Sequence, residues 1–264
     1  MKFKILIVSL FLFMPSFVFG ANKPLEVPYT TQIPYGYWQN PWSNACEESS
    51  VVMVEEYYKG TRGKISKWDA INKIKPYFAK ENKIFGENYD SNSHRTLRMI
   101  NENTIFTGEI KSNPTLQEIK DHLKLGFPVI SFHYGFELDN PNLHFLSTGS
   151  SYHAMVINGF DNSEGVFLTN DPGDTKTGHN RKYKYNDFID TFGDFDHITK
   201  KVDKTKPTVL FTYPKLVRVE GSNKLYYLES GKRYYINNPD VLKINGWSWG
   251  DIKQVSKVWL LTIK

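Results

Sequence analysis

Apolar positions along this chain fall into two periods. After Asn44 they recur at helical spacing (Val51, Val54, Tyr57, Tyr58) until Gly60 stops the run. Asn44 or Ser43 stands where a cap is needed, and Glu47 and Glu48 fill the first turn, where the helix dipole favours acids. Residues 90–101 (DSNSHRTLRMIN) predict a second helix. NPTLQEIKDHLKLG predicts a third, with Asn113 as cap, Pro114 in the first position and Gly126 at the end. The period then shortens to two. PVISFH, HAMVINGF and VFLTND predict strands, and DNSEG turns the last two into a hairpin. KYNDFIDTF follows as a short helix capped by Asn186. Helices first and an antiparallel sheet afterwards predict an α+β fold.

The two ends have other textures. Residues 1–20 place a basic start (MKFK) before a short apolar run and the small-residue ending SFVFG, the layout of a secretory signal peptide cleaved between Gly20 and Ala21. That run is short for a membrane span, and nothing after Ala21 is long enough for one. The mature chain is therefore expected to be soluble, secreted or in the cell envelope. Residues 213–264 predict a small β module: LVRV, KLYYLE and KRYYIN as strands, with turns at GSN and SG. KTKP and TYPK, around 204–215, mark a joint between it and a main domain over 21–212.

Charge narrows the partners only slightly. The formal net charge is +5, and Lys2 and Lys4 belong to the leader. The positive side chains are scattered, so nucleic acid is not an expected partner, while a weak pull toward anionic wall polymers is compatible. The tail carries Tyr226, Tyr227, Tyr234, Tyr235, Trp247 and Trp249. Exposed rings can stack on a cell-wall glycan, but a fifty-residue module also needs large side chains for its own core.

Cysteine usage is more informative. Cys46 is the only cysteine, so it has no internal disulfide partner in a chain expected to be exported. A mature chain of about 240 residues does not need such a staple. One reading is a buried small hydrophobe. The other is a nucleophile, because a helix start and a nearby imidazole both favour thiolate. Of seven histidines, His122 fits a solvated helix face, His94, His179 and His197 lie among polar residues, and His133 and His144 flank a loop. His153 opens an apolar strand, a position from which a general base can be held rigidly toward a cleft. Asp171 or Asn170, at the end of the next strand, could orient it, depending on register. An oxyanion would need the Cys46 N–H and a second donor, for which Gln32 and Gln39 are available.

The segments VPYTTQ, ACEESSVVM, LKLGFPVIS and YHAMVINGFD with TNDPG, in this order over residues 25–212, resemble the bacteriocin-processing-peptidase-like cysteine peptidases (double-glycine leader peptidase-like) of the papain-like superfamily. The resemblance implies a papain-like fold, with helices packed on an antiparallel sheet, and a hydrolase cleaving peptide or amide bonds. Carried over by position, it implies Cys46 as nucleophile, His153 as base, Asp171 as the orienting acid and Gln32, ahead of Gln39, as oxyanion donor. Exporter members follow their cysteine with glycine, whereas this chain has Glu47. No phosphate-binding G-x-x-x-x-G-K-[ST] motif accompanies it, so the form resembles a stand-alone secreted branch acting on peptide or protein. The tail resembles repeats appended to secreted bacterial proteins. No cofactor or metal is expected, since the histidines lack ligand spacing. Two alternatives use the same chain: a cell-surface binding or adhesion protein on a peptidase scaffold, and an acyltransferase that passes the acyl group to an amine.

Overall fold

The computed structural model describes residues 23–145 and 151–264. The expected signal peptide, residues 1–20, lies outside them. The first long helix, α1 (Cys46–Lys59), is entered from a 3-10 turn over Trp42–Asn44. The chain is thus already coiled before α1 begins, and the cap position falls to Ala45, whose side chain cannot cap. Neither Asn44 nor Ser43 takes that role. Gly60, at φ 90°, closes the other end, where a side chain would be strained.

A nineteen-residue helix absent from the expected elements follows, α2 (Lys67–Phe85). Its core stripe is regular (Ala70, Ile71, Ile74, Tyr77, Phe78), and Ser66 caps it by accepting from Asp69 N–H. Pro76 hides the pattern because it breaks most helices. Here Pro76 and Asn72, whose carbonyl loses its bond, both face solvent, so water can satisfy that oxygen. The next helix, α3 (Ser93–Asn103), is capped by Asn92. After β1 (Phe106–Ser112) comes α4 (Leu116–Lys124), where Thr115 and Glu118 form a reciprocal capping box in place of the expected Asn113 cap.

The remaining strands are β2 (Val129–Tyr134), β3 (Tyr152–Asp161), β4 (Val166–Asn170) and β5 (Arg181–Lys184). They are followed by α5 (Tyr185–Ile189), which has no side-chain cap, and by β6 (Asp194–Asp196), β7 (Lys201–Asp203) and β8 (Thr208–Pro214). One antiparallel sheet runs β1-β8-β2-β3-β4-β5. Residues 204–215 are therefore not simply a joint, since β8 fills the slot between β1 and β2. The β3–β4 hairpin turns where DNSEG predicts it. Along β3, side chains alternate between two layers. Tyr152, Ala154 and Val156 meet the α1–α2–α3 layer, and Met155 and Ile157 meet α4 and α5. Helices on an antiparallel sheet make this the expected α+β fold.

The tail forms a second sheet of β9 (Leu216–Val219), β10 (Leu225–Glu229), β11 (Lys232–Ile236) and β12 (Lys253–Val255), with short helices α6 (Asp240–Ile244) and α7 (Lys257–Leu260). Only Leu216, Leu225 and Leu242 anchor a cluster of its own; Val217, Leu228, Val255, Trp259 and Leu260 join the main core. Trp259 packs edge-on against Tyr213 and at 4.8 Å from Phe127. Buried Lys215 donates to the carbonyls of Ile100, Asn101 and Thr104 at the end of α3, where the helix dipole favours a cation. No helix among the described residues is long and apolar enough to cross a membrane.

Candidate active site

Cys46 is the first residue of α1, and His153 lies at the start of β3. The sheet and the α1 layer bring both to one cleft of about 700 Å³, which Gln32, Trp38, Tyr89, Phe145 and Gly173 also line. Gln39 is exposed and does not line it. His153 is buried, and its Nε2 meets Asp171 Oδ1 at 2.7 Å. Of the two candidate orienters, Asp171 is thus the one at the ring. Asn170 instead donates to the Val27 carbonyl and ties the N-terminal segment to the sheet.

Asp171 is held from several sides. Tyr183 O–H donates to Oδ2 at 2.6 Å, Asn140 donates to the same oxygen at 3.2 Å, and Gly173 N–H donates to Oδ1. Burial alone would raise the Asp171 pKa, but the charge and hydrogen bond of His153 and the Tyr183 and Gly173 donors hold it below the usual carboxylate range. Gly173 must lack a side chain, since a Cβ there would sit 2.8 Å from His153 Cε1 and 2.8 Å from Leu143 Cδ2. The Phe145 ring closes another side, edge-on to His153 at 5.8 Å. None of Tyr183, Asn140, Gly173 or Phe145 was singled out in the sequence. The Asp-Pro-Gly turn was the available hint for Gly173, and nothing local marks the rest.

The cysteine end differs. Cys46 is 2% exposed, and its Sγ–H donates to Glu47 Oε2 at 2.9 Å rather than to the His153 ring. The other Glu47 oxygen accepts from Ser91 N–H at 2.5 Å. Burial pushes the thiol well above its usual pKa. The Glu47 and Asp90 carboxylates push the same way, and a hydrogen bond from the Ala154 backbone opposes them. The helix start was expected to favour thiolate; here burial and nearby acids outweigh it.

Behind the thiol, Glu47, Glu48 and Glu81 are all buried. Burial raises each of them, with Asp90 adding to Glu47 and Glu81 adding to Glu48. Oε2 of Glu48 and of Glu81 receive no donor from elsewhere, and the two carboxyls bond each other when Glu48 holds a proton. Gln32 is buried and donates from Nε2 to the carbonyls of Ser43 at 3.0 Å and Trp42 at 3.3 Å, while its Oε1 has no donor.

The other histidines fall outside the cleft or at its rim. His144 is exposed there, edge-on to Trp38. His133 is buried between Thr191 and Ser131 hydroxyls. His122 is not on a solvated face: it is buried, stacked 4.4 Å from Phe211, and its Nε2 meets the Thr212 carbonyl. Among the described residues no group of His, Cys, Asp and Glu is arranged to hold a metal ion.

In the tail, Tyr227 stacks on Trp247 at 4.9 Å, while Tyr234, Tyr235 and Trp249 remain exposed.

A family model described as the Peptidase_C39 like family matches residues 24–200. The crystal structure of a protein described as a C39-like peptidase from Bacillus anthracis is similar at 16% identity. The similarity covers 70% of this chain and 93% of that one, with a TM-score of 0.43. No curated protein matches.

Proposed function

The chain belongs to the Peptidase_C39 like family, and on that premise we propose that it is a secreted cysteine peptidase cleaving peptide or protein substrates through Cys46, His153 and Asp171. The observation that carries this reading is the buried His153–Asp171 pair, 2.7 Å apart, opening onto the cleft that also holds the Cys46 thiol at a helix start. With Nε2 bound to Asp171, His153 exchanges protons through Nδ1. Cys46 turns from Glu47 to the ring and gives up its proton, and Sγ attacks the scissile carbonyl. Negative charge gathers on the carbonyl oxygen, which the Cys46 N–H faces as one of the helix-start donors unpaired within α1. Gln32 adds a second donor by releasing its longer bond, to Trp42. His153 then protonates the leaving amine, the C–N bond breaks, and water hydrolyses the thioester.

A neighbouring cleft of about 580 Å³ shares Asn40, Asn44 and Tyr89 with the first. Together they give an extended peptide more than one residue's length of surface. The expected leader would carry the chain out of the cytoplasm, where the exposed rings Tyr234, Tyr235 and Trp249 can stack on wall glycan. The test is incubation of the chain from Ala21 onward with a mixed peptide library, beside Cys46→Ala. Cleavage that depends on Cys46 is expected, and cleavage surviving the substitution overturns the reading. An added amine turning up in the products would mean acyl transfer instead of hydrolysis.

A further inference from the structure

Glu47 is buried against the nucleophile, yet the peptidase reading gives it no task. It follows Cys46 in α1, and its two oxygens face different elements: Oε2 accepts a hydrogen bond from the thiol S–H at 2.9 Å, and Oε1 accepts one from the Ser91 N–H at 2.5 Å. The second bond, from the segment just before α3, fixes the carboxyl in place. A first-turn glutamate normally points to solvent to meet the helix dipole; this one is 2% exposed.

Building on Cys46 as the nucleophile, we propose that Glu47 is a positioning residue that gates it: the carboxyl holds the resting thiol away from His153, and the thiolate forms readily only while Glu47 is neutral. The chemistry follows from one proton shared by two groups. An ionised Glu47 can only accept, so it keeps the proton on sulfur and repels a negative sulfur beside it. A neutral Glu47 can donate O–H to sulfur and so favours the thiolate. Cys46 and Glu47 therefore titrate as a pair. The groups facing Glu47 set where the gate closes. They are Cys46 and Glu48 from α1, Glu81 from α2, Asp90 from the segment before α3 and Tyr152 from β3. None of these brings a positive charge. Burial, then Asp90 and Glu81, favour the neutral carboxyl, in keeping with a gate that stays open above the usual glutamate range.

The test is the rate of Cys46 alkylation by iodoacetamide as a function of pH, in which sulfur forms an S–C bond and iodide leaves. Glu47→Gln keeps an acceptor for Ser91 N–H, supplies a permanent N–H donor to sulfur and removes the charge. Its profile is expected to rise at a midpoint about one pH unit lower than wild type, making alkylation about tenfold faster between the pH at which Glu47 ionises and that midpoint. Asp90→Asn removes a charge facing both groups, and is expected to shift the profile the same way by a smaller amount. A thermal melt of each variant confirms the fold, and if Glu47→Gln does not fold, Asp90→Asn decides. A midpoint unchanged or raised in the folded variants overturns the gate. His153→Ala separates this from the peptidase reading. If it leaves alkylation unchanged while Glu47→Gln accelerates it, the Cys–His pair fails and the gate stands; if it slows alkylation while Glu47→Gln does nothing, the pair stands and the gate fails.

Discussion

The two ends of the cleft are built on opposite principles. At the histidine end, Asp171 receives four hydrogen bonds, from His153, Tyr183, Asn140 and Gly173. At the cysteine end, Glu47, Glu48, Glu81 and Asp90 crowd behind the thiol, and two buried carboxylate oxygens lack any outside donor. The first arrangement is satisfied in one protonation state and resists change. The second is comfortable only when it holds protons, so its state depends on pH. A base needs rigid aim, whereas a nucleophile can be regulated through its own proton.

The largest effect expected from breaking this contrast lies at the satisfied end. Asp171→Asn removes the carboxylate that bonds His153 Nε2 and mismatches the Tyr183 donor, and should lower kcat/KM by about a hundredfold or more with little change in folding. Steady-state kinetics on a cleaved library peptide would measure it. Gly173→Ala should come next, at about tenfold, because the new Cβ would press on the His153 ring and shift it from its place in the cleft. Retained activity would mean that the loop yields easily.

The pH dependence of stability sharpens the comparison. Glu47, Glu48 and Glu81 have raised pKa values, so the folded chain holds protons that the unfolded chain has lost. Their contribution is present near the ordinary glutamate range and is lost as pH rises through their folded values. Buried His122, pushed down to about 4 by burial, acts in reverse: the unfolded chain binds the extra proton, so stability is lost as pH falls from about 6.5 toward 4. Thermal melts across pH should therefore show a maximum between the two limbs. Glu48→Gln, which removes a charge without touching the thiol, should flatten the alkaline limb and add about 1 kcal/mol there. An unchanged alkaline limb would mean that the acids are compensated by water.

Smallest should be Tyr183→Phe. It removes one of several donors to Asp171, and should cost a few-fold in kcat, about 1 kcal/mol. A loss as large as that of Asp171→Asn would make Tyr183 the true anchor of the dyad.

Much of this was legible in the chain because it is written in local periods. The helix starting at Cys46, the strand opening on His153 and the hairpin to Asp171 follow from side-chain spacing and turn residues, which need no distant contact to be read. Gln32 was separable from Gln39 only by the order of its motif until the fold buried one and exposed the other. α2 was obscured by Pro76, whose cost vanishes only because that face meets water. β8 looked like a joint because prolines bracket it, and only its partners β1 and β2, far away in sequence, make it an interior strand.

Residue identity, helix starts and strand alternation are local properties, so the chain alone names the candidate groups and the elements that present them. What each group faces comes from packing: Asp171 rather than Asn170 at the ring, Glu47 rather than His153 at the resting thiol, and acids from α1, α2 and the segment before α3 behind it. The reason is physical. Proton affinity depends on burial and on charges a few ångströms away, and those neighbours come from chain segments that only packing brings together.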